Sequence, residues 1–296
     1  MDLKTYLAKK RTLVDEALER YMPKPDGPAF DLIKAMNYSL FAGGKRLRPI
    51  LCIAGAEAVG GDAKDVLPAA CALELIHTYS LIHDDLPAMD NDDLRRGKPT
   101  SHKVFGEAMA ILAGDGLLTE AFHILARLEP REGLAADVLK IIIRLISDAS
   151  GWRGMVGGQA VDMQVEGKKI DPCIIDYIHS HKTGALIAAS VSSGAILGGG
   201  TGEQLDSIGL YGEKIGLAFQ ISDDILDIEG DVKEMGKGVG GDSRKGKNTF
   251  PSVYGLNKAK EILAGAIDSA LGALTQFDDK ADPLRQIARY IIERKK

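Results

Sequence analysis

Aromatic side chains are scarce: one Trp, seven Phe and eight Tyr bring the aromatic share of the 296 residues to 5%. Strands draw on aromatic and β-branched residues, so this scarcity argues against a β-sandwich. Cysteine is scarcer still. Cys52, Cys71 and Cys173 are odd in number and lack any CxxC spacing, so reduced thiols packed as small core residues are expected, in a cytoplasmic setting. Excess positive charge is missing too. A net charge of −5 excludes non-specific nucleic-acid binding, which needs a basic face. No apolar signal core opens the chain, because Met1 to Met22 is charged throughout and spaces Leu3, Leu7, Val14, Leu18 and Tyr21 like one face of a helix. Thr183 to Gly202 has 20 residues without a charge, but only five of them are Leu, Ile or Val. A helix at the centre of a bundle is expected there, not a membrane span.

What is abundant is helix-forming apolar residue. With 45% hydrophobic and 27% charged residues, the chain reads as an all-α protein, a large single-domain helical bundle around a central cavity spanning residues 1–296. Helical patterns are expected at Phe30 to Phe41, Ile50 to Val59, a segment capped by Asp62 and running to Ile82, Ala108 to Leu128, Leu134 to Trp152 and on to Val165, Pro172 to Ala195, Gln204 to Ile228, Lys258 to Phe277 and Arg285 to Lys295. No strand is expected. The longest irregular piece, Gly230 to Pro251, reads as a mobile loop.

Two aspartate-rich stretches, His83-Asp84-Asp85-Leu86-Pro87-Ala88-Met89-Asp90 and Asp223-Asp224-Ile225-Leu226-Asp227, each follow an apolar run. Carboxylates delivered to the end of a buried segment repel one another and lose hydration, so they call for cations, most simply Mg²⁺ shared with a phosphate. Pro87 stops the first helix, placing Asp90 on a loop that folds back beside Asp84 and Asp85. Asp223, Asp224 and Asp227 share roughly one helical face. Basic residues complement them: Lys45 and Arg48 after Gly43-Gly44, then Arg95, Arg96, Lys182, Lys237 and Lys247. Arginine suits bidentate phosphate recognition.

Asp84-Asp85-x4-Asp90 followed by Arg95-Arg96-Gly97-Lys98-Pro99-Thr100, Gly43-Gly44-Lys45-Arg46-Leu47-Arg48-Pro49, His181-Lys182-Thr183-Gly184, Phe219-Gln220-x2-Asp223-Asp224-x2-Asp227 and Gly236-Lys237 together resemble the trans-isoprenyl diphosphate synthases. The resemblance implies that Asp84, Asp85, Asp90, Asp223, Asp224 and Asp227 hold three Mg²⁺ on an allylic diphosphate. By the same resemblance Arg95, Lys182, Lys237 and Lys247 contact that diphosphate, while Gly44, Lys45, Arg48, His77 and Arg96 form the isopentenyl diphosphate site. Thr183 and Gln220 would lie beside the allylic carbons, with Gln159 and Asp162 in support on a neighbouring helix. A homodimer with Ala108 to Leu128 at its interface is also implied.

The chemistry follows from this set. Ionisation of an allylic C–O bond leaves a diphosphate that metals, Lys and Arg neutralise, and isopentenyl diphosphate then attacks the cation and loses a proton. Water would quench the cation, so Gly230 to Pro251 is expected to act as a lid. In the family, an aromatic five positions before the motif, here Tyr79, resembles the bacterial-type farnesyl (C15) synthases. Tyr79 and Ser80 would floor the product pocket. Asn91, Lys98 and Lys103 to Gly106 look like a geranylgeranyl (C20) synthase instead. A class I terpene cyclase would not need the Lys45/Arg48 site, and a catalytically silent subunit would have a broken aspartate motif.

Overall fold

The computed structural model describes residues 1–129, 132–134, 136–229 and 247–293. Lys237, the Gly236-Lys237 element and most of the expected lid lie outside the described residues. The apolar periodicity resolves into α1 (Leu3–Tyr21), α2 (Phe30–Leu40), α3 (Leu47–Ala58), α4 (Ala63–Asp84), α5 (Ser101–Phe105), α6 (Glu107–Ala126), α7 (Val138–Ser150) and α8 (Met155–Val165). They are followed by α9 (Pro172–Ile178), α10 (Ala185–Leu197), α11 (Gly202–Glu229), α12 (Phe250–Tyr254), α13 (Leu256–Ala273) and α14 (Asp282–Glu293). Local signals set the ends. The Asp2 and Asp62 carboxylates accept backbone N–H groups of α1 and α4, and Gly43 and Gly44, with φ of 98° and 139°, turn the chain after α2.

The uncharged stretch is a core helix, as expected. In α10, Leu186, Ile187, Val191 and Ala195 are buried, and Gly194 lies so near α3 that a Cβ there would collide with the Cys52 carbonyl. The reciprocal contact uses Gly55 against the Val191 carbonyl. This near-contact of backbones joins two apolar clusters: one gathers α1, α2, α4, α6 and α7, the other α11, α13 and α14, and α3 and α10 supply residues to both.

Several details differ from expectation. Leu94–Arg95 and Lys98–Pro99 form a two-residue antiparallel ladder, closed by Arg96 and Gly97 with φ of 55° and 76°. Positive φ at both central positions is the hairpin geometry that follows strand twist, and an arginine there hid the turn from pattern reading. The expected Pro172 to Ala195 helix is interrupted by a π-helical turn, His179–Gly184. The expected Leu134 to Val165 pattern breaks at Gly151 to Gly154. Cys173 is exposed, unlike Cys52 and Cys71. Two helices, α4 and α6, are long and apolar enough to cross a membrane by composition alone, and 72% of the α4 window is buried inside the bundle.

Candidate active site

Successive helical residues turn by about 100°, and this separates the two adjacent aspartates of the first stretch. Asp84, the last residue of α4, lines a cavity of about 420 Å³. Asp85 faces the other way and is held by Arg95, whose Nε lies 2.9 and 2.8 Å from its two oxygens and whose Nη2 lies 2.6 Å from Oδ1. Asp90 does fold back, its backbone N–H donating to the Asp84 carbonyl at 2.8 Å. Burial pushes the Asp84 carboxyl up to about 6, with the Asp90 charge adding to the effect against the nearby Lys182, Arg95 and Lys247.

In the second stretch, too, one aspartate is held by protein donors. Asp224 is buried, and its Oδ2 accepts from His179 Nε2 and from the Phe250 N–H, both at 2.8 Å. Its Oδ1 accepts from Gln220 Nε2 at 2.9 Å. Asp223 and Asp227, on the same helix, are only half-buried. Among the described residues no three His, Cys, Asp or Glu side chains converge closely enough to hold a metal by themselves. The donors nevertheless fit a hard divalent ion bridged to a phosphate: they are carboxylates, and half-buried Asp84, whose charge desolvation opposes, gains from a cation.

The π-helical turn carries the next group. One inserted residue rotates Lys182 and Thr183 toward the cavity, a common use of such turns. Lys182 Nζ donates to Asp162 at 2.6 Å, and Thr183 Oγ1 donates to Gln220 Oε1 at 2.8 Å. Lys247 Nζ reaches Asp90 at 2.9 Å. Gly158 lets α8 approach this turn, since a Cβ there would collide with the Lys182 backbone nitrogen. Gln159 also lines the cavity, its Oε1 buried without a hydrogen-bond partner.

A cationic pocket adjoins. Arg48, in the first turn of α3, and His77 both line the cavity. Desolvation lowers the Arg48 guanidinium to about 10 despite Glu74 and Asp223. Desolvation, followed by the charges of Arg48, Arg96, Arg95 and Arg46, holds His77 well below its ordinary value. His77 is therefore a neutral imidazole among arginines. Arg48 Nε is buried with no hydrogen-bond partner, the state of a group awaiting an anion. Arg96 donates to the Gly43 carbonyl, so the hairpin and the Gly43-Gly44 turn are tied together. Lys45 is exposed on that turn.

Sequence reasoning missed Arg46. Its backbone is left-handed at φ 51°, and its buried guanidinium bonds Asp15, Glu74 and the Leu40 carbonyl, each at 2.8 Å. The available signal was Glu74, a charge inside the otherwise apolar run Val66 to Ile76 of α4. Below the charged rim the cavity is apolar, with Tyr79, Leu81, Met89, Met155, Val156 and Met163 on its wall. Tyr79 is nearly buried, its ring edge-to-face with His83 at 5.7 Å.

The polyprenyl synthetase family pattern matches residues 31–288. The chain belongs to that family. It is 48% identical over 294 residues to a farnesyl diphosphate synthase of Geobacillus stearothermophilus, covering 99% of this chain and 98% of the relative. It is 44% identical to a geranylgeranyl diphosphate synthase of Cyanophora paradoxa, covering 99% and 97%. Among solved structures it overlays a geranylgeranyl pyrophosphate synthetase of Pyrococcus horikoshii Ot3 with a TM-score of 0.90 and 34% identity, covering 99% of this chain and 98% of that one. The chain is a prenyltransferase of isoprenoid biosynthesis, with relatives named for both C15 and C20 products.

In this polyprenyl synthetase, Gly158→Ala is expected to lower kcat roughly 10- to 100-fold by displacing Lys182 and Thr183 and to cost about 1–3 kcal/mol of stability through overpacking. Steady-state kinetics and thermal unfolding check this. Unchanged turnover would mean that α8 packing does not position the π turn.

Proposed function

We propose that the chain condenses isopentenyl diphosphate with dimethylallyl or geranyl diphosphate to give farnesyl diphosphate. The observation that carries this reading is one cavity with Asp84, Lys182, Thr183, Arg48 and His77 at its polar part and Tyr79 at its apolar part. Asp84, Asp90, Asp223 and Asp227 would hold Mg²⁺, while Asp85 and Asp224 are occupied by protein donors. Bound Mg²⁺ would neutralise the departing diphosphate. Lys182, Lys247 and Arg95 add charge on the same group, and Lys237 is assigned there as well. Lys45, Arg48, His77 and Arg96 take the diphosphate of isopentenyl diphosphate, with Gly44 allowing close backbone approach.

In the reaction the allylic C–O bond breaks and its electron pair leaves with the diphosphate. The double bond of isopentenyl diphosphate then forms the new C–C bond, and the diphosphate takes the proton that is lost. Thr183 and Gln220 face the electron-poor carbon with oxygen. The exposed apolar Ile111 and Leu112 on α6 support a homodimer with that helix at the interface. A C20 product is the second reading, favoured by the relatives of that name.

Diphosphate release measured with both substrates, with and without Mg²⁺, tests the proposal. Release should require all three components, and none under any condition would refute it. Acid should oppose the metal. As pH falls through about 6, Asp84 takes up a proton that a cation must displace, so half-saturating Mg²⁺ should rise up to about tenfold per pH unit. A flat dependence would remove Asp84 as a ligand.

A further inference from the structure

Asp224 is buried with both carboxylate oxygens hydrogen-bonded, and its partners bear on the reacting end of the cavity. A carboxylate only accepts, so the group on Gln220 that meets Asp224 Oδ1 at 2.9 Å must be the amide NH₂. The amide oxygen therefore points the other way, to Thr183, whose hydroxyl donates its only proton there at 2.8 Å. What Thr183 Oγ1 can still present to the cavity it lines is lone pairs. His179 Nε2 and the Phe250 N–H fix the other oxygen of Asp224, and the His179 ring packs against Phe250 at 4.9 Å. His179 begins the π turn that carries Thr183, while Phe250 opens α12, so three segments meet at one carboxylate.

We propose that Asp224 and His179 are positioning residues that set the polarity of the Gln220–Thr183 pair, so that Thr183 meets the developing allylic cation as an acceptor and never as an O–H donor. This rests on the prenyl-transfer reading and deepens it: the second residue of the second aspartate stretch orients a dipole instead of binding metal. A preorganised dipole of this kind acts on the transition state, not on ground-state binding.

The test exchanges the acid and the amide between the two positions, first singly and then together. In Asp224→Asn the oxygen stays with His179 and Phe250, and the new NH₂ faces Gln220. The Gln220 amide must then turn over and donate to Thr183, aiming the Thr183 proton into the cavity. The expected loss is on the order of 10²-fold in kcat, with KM for both diphosphates changed by less than about threefold. Gln220→Glu alone should also be poor, because two carboxylates then face each other. With both substitutions present, the new amide at position 224 can donate to one oxygen of the new carboxylate at position 220, while the other oxygen accepts from Thr183. The double variant should recover at least about tenfold over Asp224→Asn, a coupling that independent defects do not produce. Wild-type turnover in the same assay separates the two claims: an inactive wild type refutes prenyl transfer, whereas an active wild type without rescue refutes the polarity device. Loss in Asp224→Asn that is cured by raising Mg²⁺ would also overturn it, by making Asp224 a metal ligand.

Discussion

Asp84→Asn is expected to lower kcat/KM by about 10³-fold or more, the scale of removing a principal transition-state charge stabiliser, while raising the melting temperature of the metal-free protein. Both effects come from the same placement. Asp84 is the last residue of α4, where the helix dipole disfavours an anion. Burial and Asp90 further oppose its charge, so its carboxyl titrates near 6. A folded-state value raised above that of the unfolded chain means that the ionised form costs stability above pH 6, a cost relieved as pH falls. Asparagine removes that cost together with the ligand, the trade between stability and function common at active sites. Asp85→Asn should behave oppositely, since it strips Arg95 of its bidentate partner and leaves a half-buried guanidinium unpaired. Kinetics and thermal unfolding with chelator read both. Wild-type turnover in Asp84→Asn, or a melting temperature that falls with activity, would contradict the account.

Tyr79→Ala is expected to move the main product from C15 to C20. Tyr79 lines the cavity on α4, five residues before Asp84, and its hydroxyl is pushed up to about 12 by burial and the Asp84 charge. It therefore stays neutral and presents a ring to the cavity. Removing that ring exposes the turn beneath, Leu75 and Ile76, about 5.4 Å deeper, which is room for a further five-carbon unit. The cost should stay below the roughly 3–5 kcal/mol of a fully enclosed aromatic, because one side of the ring faces the cavity. Chromatography of dephosphorylated products reads the shift. An unchanged C15 product would remove Tyr79 as the floor, and His83, which also lines the cavity and packs on α6 with Nε2 donating to the Ile111 carbonyl at 3.0 Å, would be the next group to test.

The helical class and the two acidic stretches were legible because they depend on local facts: period, composition, and carboxylates placed after apolar runs. The Asp90 fold-back was legible for the same reason, since Pro87 cannot continue a helix. Which member of each Asp-Asp pair is held by protein donors was not. Adjacent helical residues look alike in sequence, and only distant partners separate them: Arg95 for Asp85, and His179 with the Phe250 N–H for Asp224. The Arg96-Gly97 hairpin was hidden by a left-handed arginine whose guanidinium is tied to the Gly43 carbonyl. The π turn at His179–Gly184 leaves no compositional trace, because one inserted residue changes the phase of a helix without changing its character.

Product length is the most direct test of the proposal that Tyr79 floors the cavity. The protein should be incubated with Mg²⁺, dimethylallyl diphosphate and excess isopentenyl diphosphate, and the dephosphorylated products separated by chain length. The account predicts farnesol as the dominant species. Geranylgeraniol or longer alcohols as the main product of the unaltered chain would contradict it.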